Sequence, residues 1–278
     1  MLSLLKNSTD RQATKKSHIN KDSKKVPQPK ELAEQLQDQV KQYVAQLEKT
    51  GEVDEDAYNS LRALCDRVAK TDVCRADSRR ALLASLSGKT EHYEAAIKNL
   101  KANNFHDKAT LEEFAHLVNH GYVLQAFEMR NTVIQARHAP NTSSVLPPLT
   151  AAGAYKTIHQ LVTSAPDRSE VMALDTLILE VRKVVEVMNQ LGIDDSAIAR
   201  MQDVAGELFR EKKRTWAGAR PHATALAQEE DGPLILIEYY VGVSPTEAAE
   251  MSWDLAKRLV ERELDVPGVT ISFTGMGV

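Results

Sequence analysis

Apolar residues recur at helical spacing in one short segment after another, and this pattern limits the fold more than any other feature of the chain. Leu32, Leu36, Val40, Val44 and Leu47 form the first stripe, with Gln and Glu on the other faces, as an amphipathic helix requires. Leu61, Leu64, Cys65 and Val68 form the next, and residues 80–86 continue as a further helix. Tyr93, Ala96, Ile97 and Leu100 follow, then Leu111, Phe114, Leu117 and Val118. After Gly121 come Val123, Ala126, Phe127, Arg130 and Ile134. The breaks between stripes are only a few residues long, which favours antiparallel neighbours over separated helices. Thr50-Gly51 stops the first helix, and Glu52, Asp54, Glu55 and Asp56 suit the positive end of the second.

Two of these stripes carry a family likeness. Tyr93-x-x-Ala96-Ile97-x-x-Leu100 resembles the second helix of a tetratricopeptide repeat, and Phe114-x-x-Leu117 the first helix of the repeat after it. The likeness covers about 40 residues. It departs from the family at Val118, where a glycine is expected, at Gly121, where a tyrosine is expected, and at Lys108 in place of the closing proline. The resemblance implies a concave surface that takes a partner peptide.

Beyond residue 137 the pattern breaks. Pro140-Asn141-Thr142-Ser143-Ser144 and Pro147-Pro148 read as loop and as a domain boundary. A short helix is expected over 151–163. After Ala165-Pro166, Asp167 or Ser169 caps a long helix with the stripe Val171, Leu174, Leu177, Ile178, Val181, Val184, Val185, Met188 and Leu191. Gly192 ends it, capping accounts for Asp194-Asp195, and residues 194–213 supply a partner helix. The two together read as a long αα-hairpin whose stripe serves as core or as a dimer seam. The C-terminus changes class. Residues 234–241 are β-branched and aromatic, 222–228 pair with them as a hairpin, and Ser244-Pro245-Thr246-Glu247 opens a helix over 245–264. A last strand occupies 269–273. So small a sheet must dock on the helices or extend across a dimer or partner edge.

Charge divides the chain unevenly. Residues 1–30 hold eight basic and two acidic residues, a balance of +6, and the rest of the 278-residue chain carries −10. Such an arm reads as a solubilising disordered tail, or as a contact for nucleic acid, anionic membrane or acidic protein through Lys15, Lys16, Lys24 and Lys25. Two cysteines nine residues apart, Cys65 and Cys74, match no zinc or redox spacing and fit a reducing, intracellular setting. No apolar run approaches the roughly 20 residues of a membrane span.

Motifs for chemistry are incomplete. Ser87-Gly88-Lys89-Thr90 has the end of a P-loop, but Leu83 replaces the first glycine and a helix replaces the strand before it. His116 and His120 share a helical face with Glu112 and Glu113 a turn earlier, without the metalloprotease order. Trp216 and Arg220 after Lys212-Lys213-Arg214 are the best basic-aromatic mixture for nucleic acid.

The expected architecture is therefore mostly α: a basic, disordered arm over 1–29, a helical-hairpin, solenoid-like domain over 30–138, and a linker with a short helix over 139–165. A long hairpin over 166–214 and a small α+β unit over 221–278 complete it. The expected function is a non-enzymatic cytoplasmic adaptor or regulator that binds protein through a helical groove, with no cofactor or metal and with homodimerisation open. Tyr93, Asn99, Asn103, Phe114 and Tyr122 are the candidate groove residues. The alternative is a nucleic-acid-associated regulator acting through the arm.

Overall fold

The computed structural model describes residues 28–50, 52–136, 142–164, 175–212, 221–228 and 232–277. Lys15, Lys16, Lys24 and Lys25 lie outside the described residues, as do Trp216, Arg220, Val171 and Leu174. Helices α1 (Pro29–Thr50), α2 (Glu55–Val68), α3 (Val73–Leu86), α4 (Thr90–Ala102), α5 (His106–Asn119) and α6 (Val123–Ala136) form the first half of the chain. Then come α7 (Thr142–Ala151), α8 (Tyr155–Thr163), α9 (Asp175–Leu191), α10 (Asp195–Glu211), β1 (Pro221–Gln228), β2 (Gly232–Val241), α11 (Pro245–Glu261) and β3 (Val269–Gly275). The fold is mostly helical with a small C-terminal α+β unit. No helix among the described residues is long and apolar enough to cross a membrane.

One turn, used repeatedly, builds the helical array. At Gly88, Asn104, Gly121 and Gly153 the backbone enters the left-handed region, with φ of 65°, 64°, 71° and 74°. Each follows a helix and closes it with the same pair of bonds, such as Gly121 N–H to the Val118 carbonyl at 3.0 Å and Tyr122 N–H to the Leu117 carbonyl at 2.9 Å. This six-to-one, five-to-two pattern reverses the chain within three residues. Consecutive helices therefore lie side by side, and α1 and α2 are also tied across to α3 and α4. Tyr43 of α1 bonds Ser87 at the end of α3 at 2.6 Å, and Tyr58 of α2 bonds His92 of α4 at 2.9 Å. The apolar core passes along the array through helices buried on two sides. Helix α3 gives Leu83 to a cluster with α1 and α2, and Ala81 and Ala84 to one with α4 and α5. Helix α5 then gives Phe114 and Val118 to the largest cluster, which continues to Phe273 of β3.

The sheet has the order β1-β2-β3, with β1 antiparallel and β3 parallel to the central strand. Ile235, Ile237, Tyr239 and Val241 of β2 and Val269, Ile271 and Phe273 of β3 fill its buried face, which α9, α10 and α11 cover. Ser244 caps α11 through the Glu247 N–H at 3.2 Å, as its sequence implies. Helices α10 and α11 are laced by Arg258 on Glu211 at 2.7 and 2.8 Å and Arg262 on Glu207 at 2.8 and 2.7 Å. Such two-pronged pairs are the geometry in which surface ion pairs contribute most.

Three expectations change. The break at 138–148 is not a loop throughout, because Pro147 and Pro148 lie inside α7. Each proline removes a helical hydrogen bond, and burial of Val145, Leu146 and Leu149 compensates. Nor does that break separate two cores, since the largest cluster runs through α5, α6 and α7 into the C-terminal unit. Finally, α9 and α10 share the Gly192 turn but pack mainly on other elements, α9 on α8, β1 and β2, and α10 on α6 and α11. The apolar stripe of α9 is core, with Val181, Val184, Val185, Val187 and Met188 buried.

Helix α10 meets the array backbone to backbone. A methyl group on Gly206 would lie 2.0 Å from the Gly121 carbonyl oxygen. Alanine at an open position inside a helix adds about 1 kcal/mol of stability over glycine; here the clash reverses the sign. Gly206→Ala is expected to cost about 2 kcal/mol or more, read as a lower urea midpoint; an unchanged or raised midpoint would remove this contact from the account.

Candidate protein-binding groove

Helix α4 has one apolar stripe with a charged flank on one side and a neutral polar flank on the other, and α5 packs along only part of it. The stripe buries Tyr93, Ala96, Ile97 and Leu100. On one side, Tyr93, Glu94, Ile97, Lys98 and Lys101 of α4 and Glu113 of α5 line an open groove of about 300 Å³. Tyr93 and Ile97 make its apolar floor. Lys101 and Glu113 span it with an ion pair of 2.7 Å, while the remaining rim, Glu94 and Lys98, is exposed.

A polar cluster between α3 and α5 holds that floor in place. The Tyr93 ring stacks on His116 with centroids 4.0 Å apart, and His116 meets His120 at 4.3 Å. The Ser85 hydroxyl sits 2.8 Å from His116 Nδ1 and 3.4 Å from His120 Nε2, and His120 Nε2 lies 3.0 Å from the Ser85 carbonyl. Burial, with the neighbouring His120, pushes the His116 pKa down to about 4, and burial lowers that of His120 as well. Both imidazoles are therefore neutral near pH 7. Burial likewise raises the Tyr93 phenol, which stays protonated.

Chemically this arrangement is a brace. Ser85 is buried in α3, and a base with a pKa near 4 has little pull on a hydroxyl proton at neutral pH. Glu112, a turn before His116, is occupied by the Ser78 hydroxyl at 2.5 Å and Lys108 at 2.8 Å. Among the described residues no three His, Cys, Asp or Glu side chains are grouped to hold a metal ion. The Cys65 thiol is buried and pushed up to about 11, which makes it a poor nucleophile.

The five residues singled out from sequence do not converge. Tyr93 lines the groove. Asn99 and Asn103 are exposed on the other side of α4, where the Asn103 amide bonds the Asn99 carbonyl at 2.9 Å. Phe114 is 2% exposed and belongs to the core. Tyr122 follows the Gly121 turn, its ring 4.4 Å from the Arg210 guanidinium of α10. Ile97 belongs to the same stripe as Tyr93, whereas Glu94, Lys98, Lys101 and Glu113 carry no motif. They become visible only once α4 and α5 are set against each other.

The histidine brace sets a pH dependence. Because His116 binds its proton more weakly folded than unfolded, where its pKa is 6.5, the unfolded chain takes up more protons between pH 6.5 and 4. Stability therefore falls as pH drops through that window. His116→Gln is expected to flatten the change in urea midpoint between pH 6.5 and 5, above the range where most carboxylates titrate. A slope equal to that of the wild type would place the acid sensitivity elsewhere.

Comparison with protein-family models, with curated proteins and with solved structures finds no match to this chain.

Proposed function

We propose that the protein is a non-enzymatic adaptor or regulator that binds a partner protein through the α4–α5 groove. The observation that carries this reading is the groove itself: an apolar floor of Tyr93 and Ile97 with charges of both signs at its rim, held from behind by the Ser85–His116–His120 brace. Such a slot accommodates an apolar side chain of an extended or helical segment, with flanking charges setting its orientation. The α3–α4, α4–α5 and α5–α6 connections share one left-handed turn, and the helices from α2 to α6 are 13 or 14 residues long, as a stack of helical hairpins requires. In the tetratricopeptide family such an array presents a surface to peptides.

Charge reversal of the rim tests the proposal without touching the floor. Full-length wild type and Lys98→Glu/Lys101→Glu would each be affinity-purified from cells, with and without nuclease. A protein partner that survives nuclease with wild type, and falls at least tenfold with the variant at equal thermal stability, is the expected result. Partners lost on nuclease digestion, with nucleic acid recovered, would overturn it in favour of a nucleic-acid regulator acting through the basic arm.

A further inference from the structure

The most exposed large apolar side chain among the described residues is Trp253 of α11, at 78% of its full exposure, and Val260 on the same helix is 62% exposed. They are not isolated. Ala249, Trp253, Ala256 and Val260 are all exposed and follow the spacing of a heptad seam, so they make one narrow apolar stripe along the helix. The opposite duty, packing on the sheet, belongs to Ala248, Met251, Leu255 and Leu259. Asp254 and Arg258 of α11, with Arg262 at its C-cap, form ion pairs with each other and with α10 on another face. The stripe is thus a third face of α11, and neither the sheet nor α10 uses it.

We infer that this stripe is the contact between two copies of the chain, paired antiparallel about a two-fold axis that passes between Asp254 and Leu255. Shape and charge both fit that occupant. Large and small residues alternate along the stripe. Antiparallel pairing sets Trp253 against Ala256 of the second copy and Val260 against Ala249, so that each large side chain meets a small one. The same pairing brings Glu250 beside Lys257 of the other copy, twice by symmetry. A parallel pair would instead set Lys257 beside Ser252 of the other copy and leave Glu250 and Lys257 without each other. Glu250 has no ion-pair partner among the described residues, and Lys257 has only Glu261 at 3.7 Å, an exposed pair that is readily exchanged. An isologous contact of this kind closes on itself and does not propagate into fibres. One helix face falls at the low end of specific interface sizes, below roughly 1,200 Å², the class of weak, reversible contacts.

Sedimentation velocity of the full-length protein across a concentration series tests this. Wild type is expected to move from monomer to dimer, and Trp253→Ala, whose side chain supports nothing inside the fold, to weaken dimerisation at least tenfold. Glu250→Lys and Lys257→Glu should each weaken it at least threefold. Mixing these two single variants should restore it, because each copy then offers the charges the other lacks. A wild-type protein that stays monomeric at every concentration would overturn the inference. So would a dimer indifferent to Trp253→Ala, or a mixture of the charge variants no tighter than either alone.

Discussion

The structure depends on how closely α10 approaches the turns of the helical array. At Gly121 and Gly206 the two backbones touch without any side chain between them, and the surrounding groups exploit the approach. Asp203 accepts the Leu124 N–H at the start of α6 at 3.0 Å, and Arg210 donates to the Gly121 carbonyl and lies over Tyr122. Two turns earlier along α10 the arrangement recurs. Gly153 lies against Ala199, where an added methyl would be 3.0 Å from the Ala199 nitrogen, and Asp195 accepts the Lys156 and Thr157 N–H groups of α8 at 2.8 and 2.9 Å. Helix α8 has no side-chain cap of its own. One helix thus supplies caps to two others, from aspartates eight residues apart, and fixes the spacing of the array as it does so. Orphan N–H groups at a helix start must be satisfied somewhere, and here the requirement ties distant parts of the chain together.

That dependence explains what was legible in the sequence and what was not. Local rules succeeded where the interaction is local. Asp54 and Asp194 cap the helices they precede, Gly88 and Gly192 end theirs, and the Ser244-Pro245 start of α11 and the hairpin before it stand where the pattern put them. They failed where a residue serves a partner far along the chain. Asp195 sits beside Asp194 and reads as the same local cap, yet its carboxylate serves α8, more than thirty residues upstream. Gly206 is an unremarked glycine in a helical stretch until Gly121 is brought against it. Pro147 and Pro148 signal a loop by any local rule, and the burial of their neighbours overrides them.

The same distinction applies to the groove. Tyr93 was visible because it belongs to a stripe, which depends only on periodicity. The rim residues Glu94, Lys98, Lys101 and Glu113 are charged side chains on exposed flanks, and nothing in their spacing separates them from solvated helix surface. What selects them is the angle at which α5 leaves α4, set by the turn at Asn104 and by the Ser85–histidine brace. Asn99 and Asn103, the other candidates on α4, fall on the opposite flank.

The C-terminal sheet shows how a unit too small to stand alone is stabilised. Its buried face docks on α9, α10 and α11, with Phe209 of α10 against Tyr239 and Phe273 at ring separations of 6.1 and 5.5 Å. One edge strand is also occupied from within. Ser252 of α11 accepts the Phe273 N–H at 2.9 Å and donates to the Phe273 carbonyl at 3.2 Å. Phe273 is one of the residues whose backbone groups point away from β2, since Gly268 and its alternate neighbours face β2. A hydroxyl placed there disfavours edge-to-edge association. Immediately beside it, Trp253 stands on the helix surface. A helix face offers side chains, whose sizes and charges can be matched to one partner, whereas a strand edge offers backbone groups common to every sequence. In this part of the chain the Phe273 edge groups are occupied while the α11 face stays exposed, an arrangement that favours contact through side chains over contact through backbone.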